Sequence, residues 1–501
     1  MRVVFRADAS AAVGGGHVMR CAALAAQLQQ RGAEVFLLSR GLPEPYRRML
    51  ADQGCRVLPL PAGGREPLAL ADEIDEACAA LAAHAPWDWL IVDHYGLGRE
   101  WERAMRRFVG KLLLIDDYTD RDHDGDVLLN QNLHADADAY RGRLSPSCVI
   151  LTGPRYALVR AEFAAARAAL RRRDGSVGRL LVCFGGADAD DLTGRTVDAF
   201  IAADLQGVWG DVVVGPSYGH WEKLAARCTG SPRLGLSRDV TDMAERMAAA
   251  DLFIGGGGSM TWERATLGLA GFTVALADNQ QPVCAALEER GAGIHLGGAG
   301  SVAVQDMVDA LRFGVRHPGL LRALGEAIAV LSDGRGALRV ARLLLPAQVS
   351  LRSAQADDCA AIFAWRNDER TRRYFFDPSP LDFAAHSTWF AATLASADSR
   401  LLIGMNAGTS CGVIRFDRRG ERTRMSVYLD PSRHGEGLGA ALIRAGLAWL
   451  RQREDFPRLV CAEILGDNAA SLAAFAAAGF HECGRQWQVE TGLGEDVEGA
   501  S

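Results

Sequence analysis

Short apolar runs alternate with amphipathic helical segments along the first third of the chain. The runs VVFRAD, EVFLLSR, WLIVDHY, KLLLIDD and CVILTG have the almost continuous apolar character of strands that are buried on both faces. Between them lie segments such as MRCAALAAQLQQRG, in which apolar residues recur at helical spacing. This alternation predicts a parallel sheet that is covered by helices on both sides.

The pattern stops after AEFAAARAALRRRDGSVG and then begins again. The runs RLLVCFGGAD, VWGDVVVG, DLFIGGGGS, FTVALADN and GIHLGG predict the strands of a second doubly wound unit. From Leu351 the pattern changes, because RLLIGMNAGTSCGVIRFDRRGERTRMSVYLDP has the alternation of an antiparallel meander. The chain is therefore predicted to be α/β, with two Rossmann-like lobes at residues 1–155 and 156–345 and an α+β domain at 346–501.

Composition narrows the function classes. The net charge of −7 over 501 residues argues against a general nucleic-acid binder. The 11 cysteines are scattered singly, without CxxC pairs, which favours a reducing compartment and disfavours a structural zinc site. No signal peptide is evident, and no apolar run approaches the ~20 residues of a membrane span. We therefore expect a cytoplasmic protein that needs no metal and binds neither nucleic acid nor a membrane.

Three glycine-rich turns stand between a predicted strand and a helix. In VGGGHVMRC the turn precedes His17, in GGGGSMTWER it precedes Ser259, and in DPSRHGEGLGAAL it contains Gly435, Gly437 and Gly439. Glycines allow close approach to an anion, and a helix N-terminus supplies N–H groups and a positive dipole end. A histidine in such a turn can exchange a proton near neutral pH. The turns predict phosphate sites, and the first predicts chemistry beside one.

The third turn belongs to an ordered set of motifs that resembles the GNAT acyltransferase family. An antiparallel meander precedes the turn, and VCAEIL and DNAASLAAFAAAGF follow it. The resemblance implies acetyl-CoA as co-substrate and predicts seven contacts with it: Val427, Leu429, His434, Gly435, Gly437, Gly439 and Asn468. WRNDERTRRYFF and HSTWF resemble the acceptor side of members that acetylate amines.

Two departures from the GNAT pattern affect the predicted chemistry. His434 stands where the family usually has Arg or Gln, and Phe475 stands where many members have a Tyr that protonates the leaving thiolate. The acid is therefore unassigned. Glu463 is a candidate base that acts through water, and a solvent-facing strand carboxylate is the alternative for this residue.

The two predicted lobes resemble glycosyltransferases of the GT-B type. More closely, seven motifs in order resemble the UDP-sugar hydrolases of pseudaminic acid biosynthesis: FRADASAAVGGGHVMRC, VDHYGL, IDDYTDRDHDGDVLLNQN, LTGPRYALVRAEF, CFGGADADDLT, GGGGSMTWERATLGL and ALADNQ. The resemblance implies a catalytic set of His17, Tyr95 and Asn279. The predicted UDP-sugar contacts are Gly15, Gly16, Asp93, Gly257, Ser259 and Glu263, of which Glu263 is placed to reach a ribose diol.

Both resemblances lead to one expected function. The chain would acetylate a UDP-4-amino sugar with acetyl-CoA and hydrolyse the resulting UDP-2,4-diacetamido-2,4,6-trideoxyhexose to the free sugar and UDP. The stereochemistry of the sugar stays open. One alternative is a GT-B glycosyltransferase with a fused acetyltransferase, and another is a UDP-sugar-binding module in which one unit is inactive.

Overall fold

The computed structural model of the chain describes residues 1–10, 14–61, 68–483 and 486–490. The chain divides into two compact units, Met1–Leu344 and Leu345–Ser501. Within the described ranges, the first unit contains two parallel sheets and the second unit contains one mixed sheet. The α/β class, the paired Rossmann-like lobes and the third α+β domain are thus confirmed. Residues 491–501, which the sequence assigns to the last domain, lie outside the described ranges.

The first lobe is built on a parallel sheet of seven described strands. These strands are β1 (Arg2–Ala7), β2 (Glu34–Arg40), β3 (Arg56–Leu60), β4 (Trp87–Asp93), β5 (Val109–Ile115), β6 (Val127–Asn130) and β7 (Val149–Thr152). Their spatial order is β3-β2-β1-β4-β5-β6-β7. The helices of this lobe are α1 (Gly16–Gln29), α2 (Glu44–Asp52), α3 (Leu70–Ala82) and α4 (Arg99–Met105).

The second lobe repeats this plan with six described strands. They are β8 (Arg179–Cys183), β9 (Trp209–Val214), β10 (Leu234–Arg238), β11 (Leu252–Gly256), β12 (Gly271–Ala275) and β13 (Ile294–Gly298), in the order β10-β9-β8-β11-β12-β13. The accompanying helices are α5 (Ala161–Ala168), α6 (Leu192–Ala203), α7 (Trp221–Thr229), α8 (Met243–Ala249), α9 (Met260–Thr266), α10 (Gln281–Glu289), α11 (Val304–Arg316), α12 (Pro318–Ala329) and α13 (Gly336–Leu344).

The last helix of this unit joins the two lobes. α13 lies in the range that the sequence assigns to the second lobe, but it packs against α1 of the first lobe. At its start, a Cβ on Gly336 would lie 2.1 Å from the carbonyl oxygen of Ala157, so only glycine permits this approach. The packing of α13 fixes α1, and with it the turn that carries His17.

Three strands of the two lobes are missing from the sequence-based assignment, which was wrong in omitting β3, β6 and β10. β3 and β10 are edge strands in which only Leu60 is buried, so their apolar signal is weak. β3 also contains Pro59, and β10 contains Gly235, and both residue types are depleted in strands. β6 is buried but has only four residues, which is too short for a periodic pattern.

The second unit contains a mixed sheet with accompanying helices. Its strands are β14 (Ser350–Ser353), β15 (Ser399–Asn406), β16 (Thr409–Arg419), β17 (Arg422–Leu429), β18 (Leu459–Ala462), β19 (His481–Cys483) and β20 (Gln486–Glu490). β15, β16 and β17 form the expected antiparallel meander, and β17 pairs in parallel with β18. The helices are α14 (Cys359–Asn367), α15 (Glu369–Arg372), α16 (Phe383–Ala395), α17 (Leu438–Arg451) and α18 (Ala469–Ala477).

We expect the two units to fold independently, because each contains its own buried clusters of apolar side chains. Fragments 1–344 and 345–501 should each unfold cooperatively in urea. The denaturation curve of the full chain should then match the sum of the two fragment curves. A fragment that unfolds without a cooperative transition would contradict this division.

Candidate functional site

A cavity of about 790 Å³ lies between the two lobes of the first unit. Its walls include the turns that follow the carboxyl ends of β1, β8, β11 and β12. The chain order reverses beside these turns, between β1 and β4 in one sheet and between β8 and β11 in the other. Open parallel sheets bind their ligands at such switch points, so this cavity is the candidate ligand site.

The glycine turn before α1 brings backbone to the cavity wall. α1 begins at Gly16, and no side chain of the described residues caps its N-terminus, so its first N–H groups are available to a bound anion. A Cβ on Gly15 would lie 1.9 Å from the hydroxyl of Tyr46, which explains the glycine there. A Cβ on Gly16 would lie 3.5 Å from Ser259 Oγ of the second lobe. The two predicted phosphate turns therefore face each other across the cavity.

His17 is held in one orientation by a buried carboxylate. Its Nδ1 lies 2.5 Å from Oδ1 of Asp93, which has no exposed surface. Arg20, one turn further along α1, donates to both carboxylate oxygens of Asp93 over 2.6 Å. An ionised carboxylate only accepts hydrogen bonds, so neutral His17 carries its proton on Nδ1 and has Nε2 as its basic nitrogen.

Opposing effects act on the Asp93 carboxyl. Burial by itself would raise the pKa of Asp93, but the charge of Arg20 and the hydrogen bonds from Arg20 and His17 hold this pKa well below its usual range. Asp93 is therefore ionised at neutral pH. Its charge also stabilises an imidazolium, should His17 take up a proton.

A second carboxylate extends the network to the other lobe. Asp117 accepts hydrogen bonds from Arg20 (2.9 Å), from the Asn132 amide (2.9 Å) and from the Tyr95 hydroxyl (2.6 Å). Asn279 Nδ2 of the second lobe donates to the same Tyr95 hydroxyl over 2.9 Å. Burial raises the pKa of Tyr95 well above its usual range, and Asp117 adds to this effect. The phenol therefore stays protonated and connects the two lobes.

The second lobe adds a buried acid and a glycine turn. Gly257 and Ser259 line the cavity just before α9, and a Cβ on Gly257 would lie 2.3 Å from Cys284 Sγ. Glu263 on α9 accepts two hydrogen bonds from Arg160, both on Oε1. Burial raises the pKa of Glu263, and Arg160 offsets part of that shift. Within the described ranges, both of these hydrogen bonds fall on Oε1, and none falls on Oε2.

Eight of the nine predicted residues of this site line the cavity; they are Gly15, Gly16, His17, Tyr95, Gly257, Ser259, Glu263 and Asn279. The exception is Asp93, which the sequence places among the ligand contacts. The structure places Asp93 behind His17, where Arg20 and His17 occupy its oxygens. Asp93 thus positions a cavity residue and is not itself on the cavity surface.

Sequence reasoning missed three residues of the hydrogen-bond network that runs from His17 through Asp93 to Tyr95. These residues are Arg20, Asp117 and Asn132. Arg20 follows His17 by three positions on one helix, and this spacing puts both side chains on the same face. Asp117 follows β5 in the motif IDDYTD, at the same sheet edge as Asp93. These two positional signals were available, but a pairing across the sheet edge needs the fold.

The second unit opens its sheet where the GNAT resemblance expects coenzyme A. β17 pairs with β18 only from Arg422 to Arg424, although β17 continues to Leu429. Val427 and Leu429 therefore lie where the two strands have separated. Such a gap leaves backbone N–H and C=O groups of β17 available to an extended ligand.

The turn after β17 has the backbone of an anion site. Gly435 and Gly437 have φ values of +83° and +78°, which favour glycine. Gly437 is the N-cap of α17, and no side chain in the described part of the chain caps this helix. His434 is exposed beside the turn, and Gly439 lies in the first turn of α17. Among the described residues, the six from His434 to Gly439 thus form a turn that leads into a helix N-terminus without a side-chain cap.

Three further residues of this unit have structural partners. Asn468 caps α18, because its Oδ1 accepts a hydrogen bond from the Ser471 N–H over 3.1 Å. Phe475 is buried in the apolar core, edge-on to Phe480 with 4.9 Å between the ring centres. Glu463 lies 3.0 Å from Arg424 on the surface, an arrangement that agrees with the solvent-facing alternative.

In the part of the chain that the structure describes, no three His, Cys, Asp or Glu side chains are grouped to hold a metal ion. Across the same residues, no helix has both the length and the apolar character to cross a bilayer.

Comparisons with known proteins match the two units separately. Residues 348–481 match the family model described as an acetyltransferase (GNAT) domain. In the N-terminal part, 193 residues are 29% identical to the UDP-2,4-diacetamido-2,4,6-trideoxy-beta-L-altropyranose hydrolase of Campylobacter jejuni. This match covers 38% of the chain and 63% of the hydrolase, so it spans less than two thirds of that relative.

Two more distant relatives extend the comparison. An uncharacterised protein of Methanocaldococcus jannaschii, MJ1062, is 20% identical over 416 residues, which is 81% of each chain. The solved structure of Acinetobacter baumannii MurG matches with a TM-score of 0.50 and 19% identity, over 68% of this chain and 99% of MurG. The MurG match shows the fold of the first unit. Together, these matches confirm a hydrolase-like region followed by a GNAT domain.

We expect the charge of Arg20 to be essential for the stability of the first unit. Arg20→Met removes the cation that neutralises two buried carboxylates, and such a loss costs about 3–5 kcal/mol. Urea denaturation at pH 7 measures this change. Arg48→Met is the control, because Arg48 is 76% exposed and its loss should cost at most about 0.5 kcal/mol. An Arg20→Met variant as stable as the control would contradict the role of the network.

Proposed function

We propose that the first unit hydrolyses a UDP-linked 2,4-diacetamido-2,4,6-trideoxyhexose to the free sugar and UDP. The observation that carries this proposal is the hydrogen bond of His17 to a fully buried, ionised Asp93, at a cavity between two facing glycine turns. The similarity to a hydrolase of this substrate class supports it.

The proposed reaction needs a base for water and a stable leaving group. His17 Nε2 takes a proton from water as the water oxygen bonds to the anomeric carbon. The bond between that carbon and the diphosphate oxygen breaks, and UDP leaves with the electron pair. Asp93 stabilises the imidazolium that forms, and His17 then loses its proton to solvent.

The leaving diphosphate needs charge stabilisation more than it needs a proton. The N–H groups at the start of α1 can supply this stabilisation, and the turn with Gly257 and Ser259 faces them. Tyr95 and Asn279, whose side chains are hydrogen-bonded to each other, line the same cavity and are proposed to contact the sugar and the diphosphate. We assign Glu263 Oε2 to the ribose diol of the uridine. In this account no metal takes part in hydrolysis.

For the second unit we propose acetyl transfer from acetyl-CoA to the amino group of a UDP-4-amino sugar. The divergence of β17 from β18 after Arg424 supports a thioester site beside Val427 and Leu429. The turn from His434 to Gly439 is proposed to bind the pyrophosphate of coenzyme A. Asn468 would contact the cofactor through its amide NH₂, because its oxygen caps α18.

The two proposed reactions follow one another in chemical terms. Acetylation of the 4-amino group yields the diacetamido sugar that the first unit would hydrolyse. The second candidate function for the first unit is glycosyl transfer by a GT-B enzyme, because the first unit has the fold of MurG. UDP release from the diacetamido sugar in the absence of any acceptor other than water distinguishes hydrolysis from glycosyl transfer.

We expect His17→Ala to lower the rate of UDP release by about 10²–10⁴-fold, because the variant lacks the base. Its affinity for UDP should be retained, since the backbone turns remain. Single-turnover UDP release and calorimetric UDP binding give these two values. His84→Ala replaces an exposed histidine outside the cavity and serves as the control. Normal turnover in His17→Ala would exclude His17 as the base.

We expect Gly437→Val to abolish acetyl transfer and to leave hydrolysis unchanged. A side chain at φ +78° strains the turn and occupies the proposed pyrophosphate site. Gly420→Val is the matched control, because Gly420 also has a positive φ (+60°) but lies in the hairpin between β16 and β17. Coenzyme A release with the amino sugar measures transfer. If both variants lost acetyl transfer equally, the cause would be backbone strain in the unit. Such a result would contradict a pyrophosphate site at this turn.

A further inference from the structure

Tyr46 is a cavity residue of the first unit that the proposed reaction does not use. It lies on α2, is half-buried and contributes to the wall of the cavity between the lobes. A Cβ on Gly15 of the first lobe would lie 1.9 Å from its hydroxyl oxygen, and a Cβ on Gly186 of the second lobe would lie 3.2 Å from the same atom. The phenol therefore ends between two glycine turns that belong to different lobes.

The hydroxyl of Tyr46 has no hydrogen-bond partner among the described residues. Burial raises the pKa of Tyr46, and the charge of Asp239 adds to this effect, so the phenol keeps its proton at neutral pH. A phenol hydroxyl can donate one hydrogen bond. A half-buried donor without an acceptor, beside a backbone turn that suits an anion, indicates that its partner is an anionic oxygen of a ligand.

The other tyrosines of the described cavity wall are less suited to donate to a diphosphate. Tyr95 already donates its only hydroxyl proton to Asp117 over 2.6 Å. The ring of Tyr118 packs edge-on against Tyr95, with 5.0 Å between the ring centres. Burial raises the pKa of Tyr118, and the charges of Asp117 and Asp278 add to this effect, so the same charges would repel a diphosphate. This comparison favours Tyr46 as the donor.

The turn after β8 does not offer a second free helix N-terminus to the diphosphate. Asp188 accepts hydrogen bonds from the N–H groups of Leu192 and Thr193, over 2.9 Å and 2.8 Å, and so occupies the start of α6. The first N–H groups of α1, by contrast, have no side-chain cap among the described residues. The diphosphate is thus expected at α1, where the hydroxyl of Tyr46 meets Gly15.

We propose that the Tyr46 hydroxyl donates a hydrogen bond to the β-phosphate of the bound UDP-sugar and stabilises it as the leaving group. This inference deepens the proposed hydrolysis and rests on it. As the bond between the anomeric carbon and the diphosphate oxygen breaks, the electron pair goes to the diphosphate, whose negative charge increases. A donor to this phosphate therefore binds more strongly in the transition state than in the ground state. The phenol keeps its own proton, so the proton balance of hydrolysis is unchanged.

Binding of UDP and of UMP to the full chain, measured by calorimetry, tests this contact without any turnover. UMP lacks the β-phosphate, so it reports whether the rest of the nucleotide site is intact. We expect Tyr46→Phe to weaken UDP binding by about 10–100-fold, because a hydrogen bond to a charged group is lost, and to leave UMP binding unchanged. Tyr156→Phe is the control, because Tyr156 is a half-buried tyrosine of the same unit that lies outside the cavity wall.

Steady-state release of UDP from the diacetamido sugar gives a second readout. We expect Tyr46→Phe to lower kcat/KM by about 10–100-fold. Most of this loss should fall on kcat, because the charge of the β-phosphate grows during bond cleavage. The pH profile of kcat/KM should keep its wild-type shape, since His17 still acts as the base.

Three results would overturn the inference. One is a UDP affinity of Tyr46→Phe equal to that of the Tyr156→Phe control. Another is an equal loss of UDP and UMP binding, which would show a structural role for the hydroxyl. The third is a selective loss of UDP binding in Tyr118→Phe but not in Tyr46→Phe. If the wild-type chain binds UDP but does not release it from the sugar, the proposed hydrolysis fails, and the two binding measurements still decide the role of Tyr46.

Discussion

The first unit depends on one buried charge, the carboxylate of Asp93. A carboxylate without solvent contact stays ionised only if cations and hydrogen bonds replace its water, and here Arg20 and His17 do so. Both partners come from α1, so the neutralisation also ties α1 to the end of β4. The need to neutralise Asp93 thus fixes the position of α1. It also fixes the tautomer of His17, which leaves Nε2 as its basic nitrogen. Arg20 extends the same constraint through Asp117 to Tyr95 and the second lobe.

Much of this arrangement could be predicted from the sequence, because glycine turns and polar strand ends are local signals. The turn before His17, the turn before Ser259 and their placement at sheet edges follow from strand–turn–helix patterns alone. The ion pairs behind the cavity wall, in which Arg20 contacts both Asp93 and Asp117, could not be predicted in this way. Asp93 ends β4 and Asp117 follows the neighbouring β5, and only the parallel register of these strands brings both within reach of Arg20. For the same reason, the sequence could place Asp93 near the ligand but could not show that His17 stands between them.

In the C-terminal unit, the local pattern predicted the turn at Gly435 and Gly437, and the structure adds the separation of β17 from β18. The position of Phe475 depends on tertiary packing instead, because the apolar core holds its ring edge-on to Phe480.

In the proposed reaction, water attacks the anomeric carbon in the cavity that His17 lines. Hydrolysis of the UDP-linked diacetamido sugar in ¹⁸O-labelled water, followed by mass spectrometry of both products at early times, shows which atom the water attacks. We expect that UDP is released without any other acceptor, that the sugar gains one ¹⁸O at its anomeric carbon and that UDP gains none. Label in the phosphate of the nucleotide product would mean attack at phosphorus. Such a result, or the absence of UDP release until a second acceptor is added, would contradict the account.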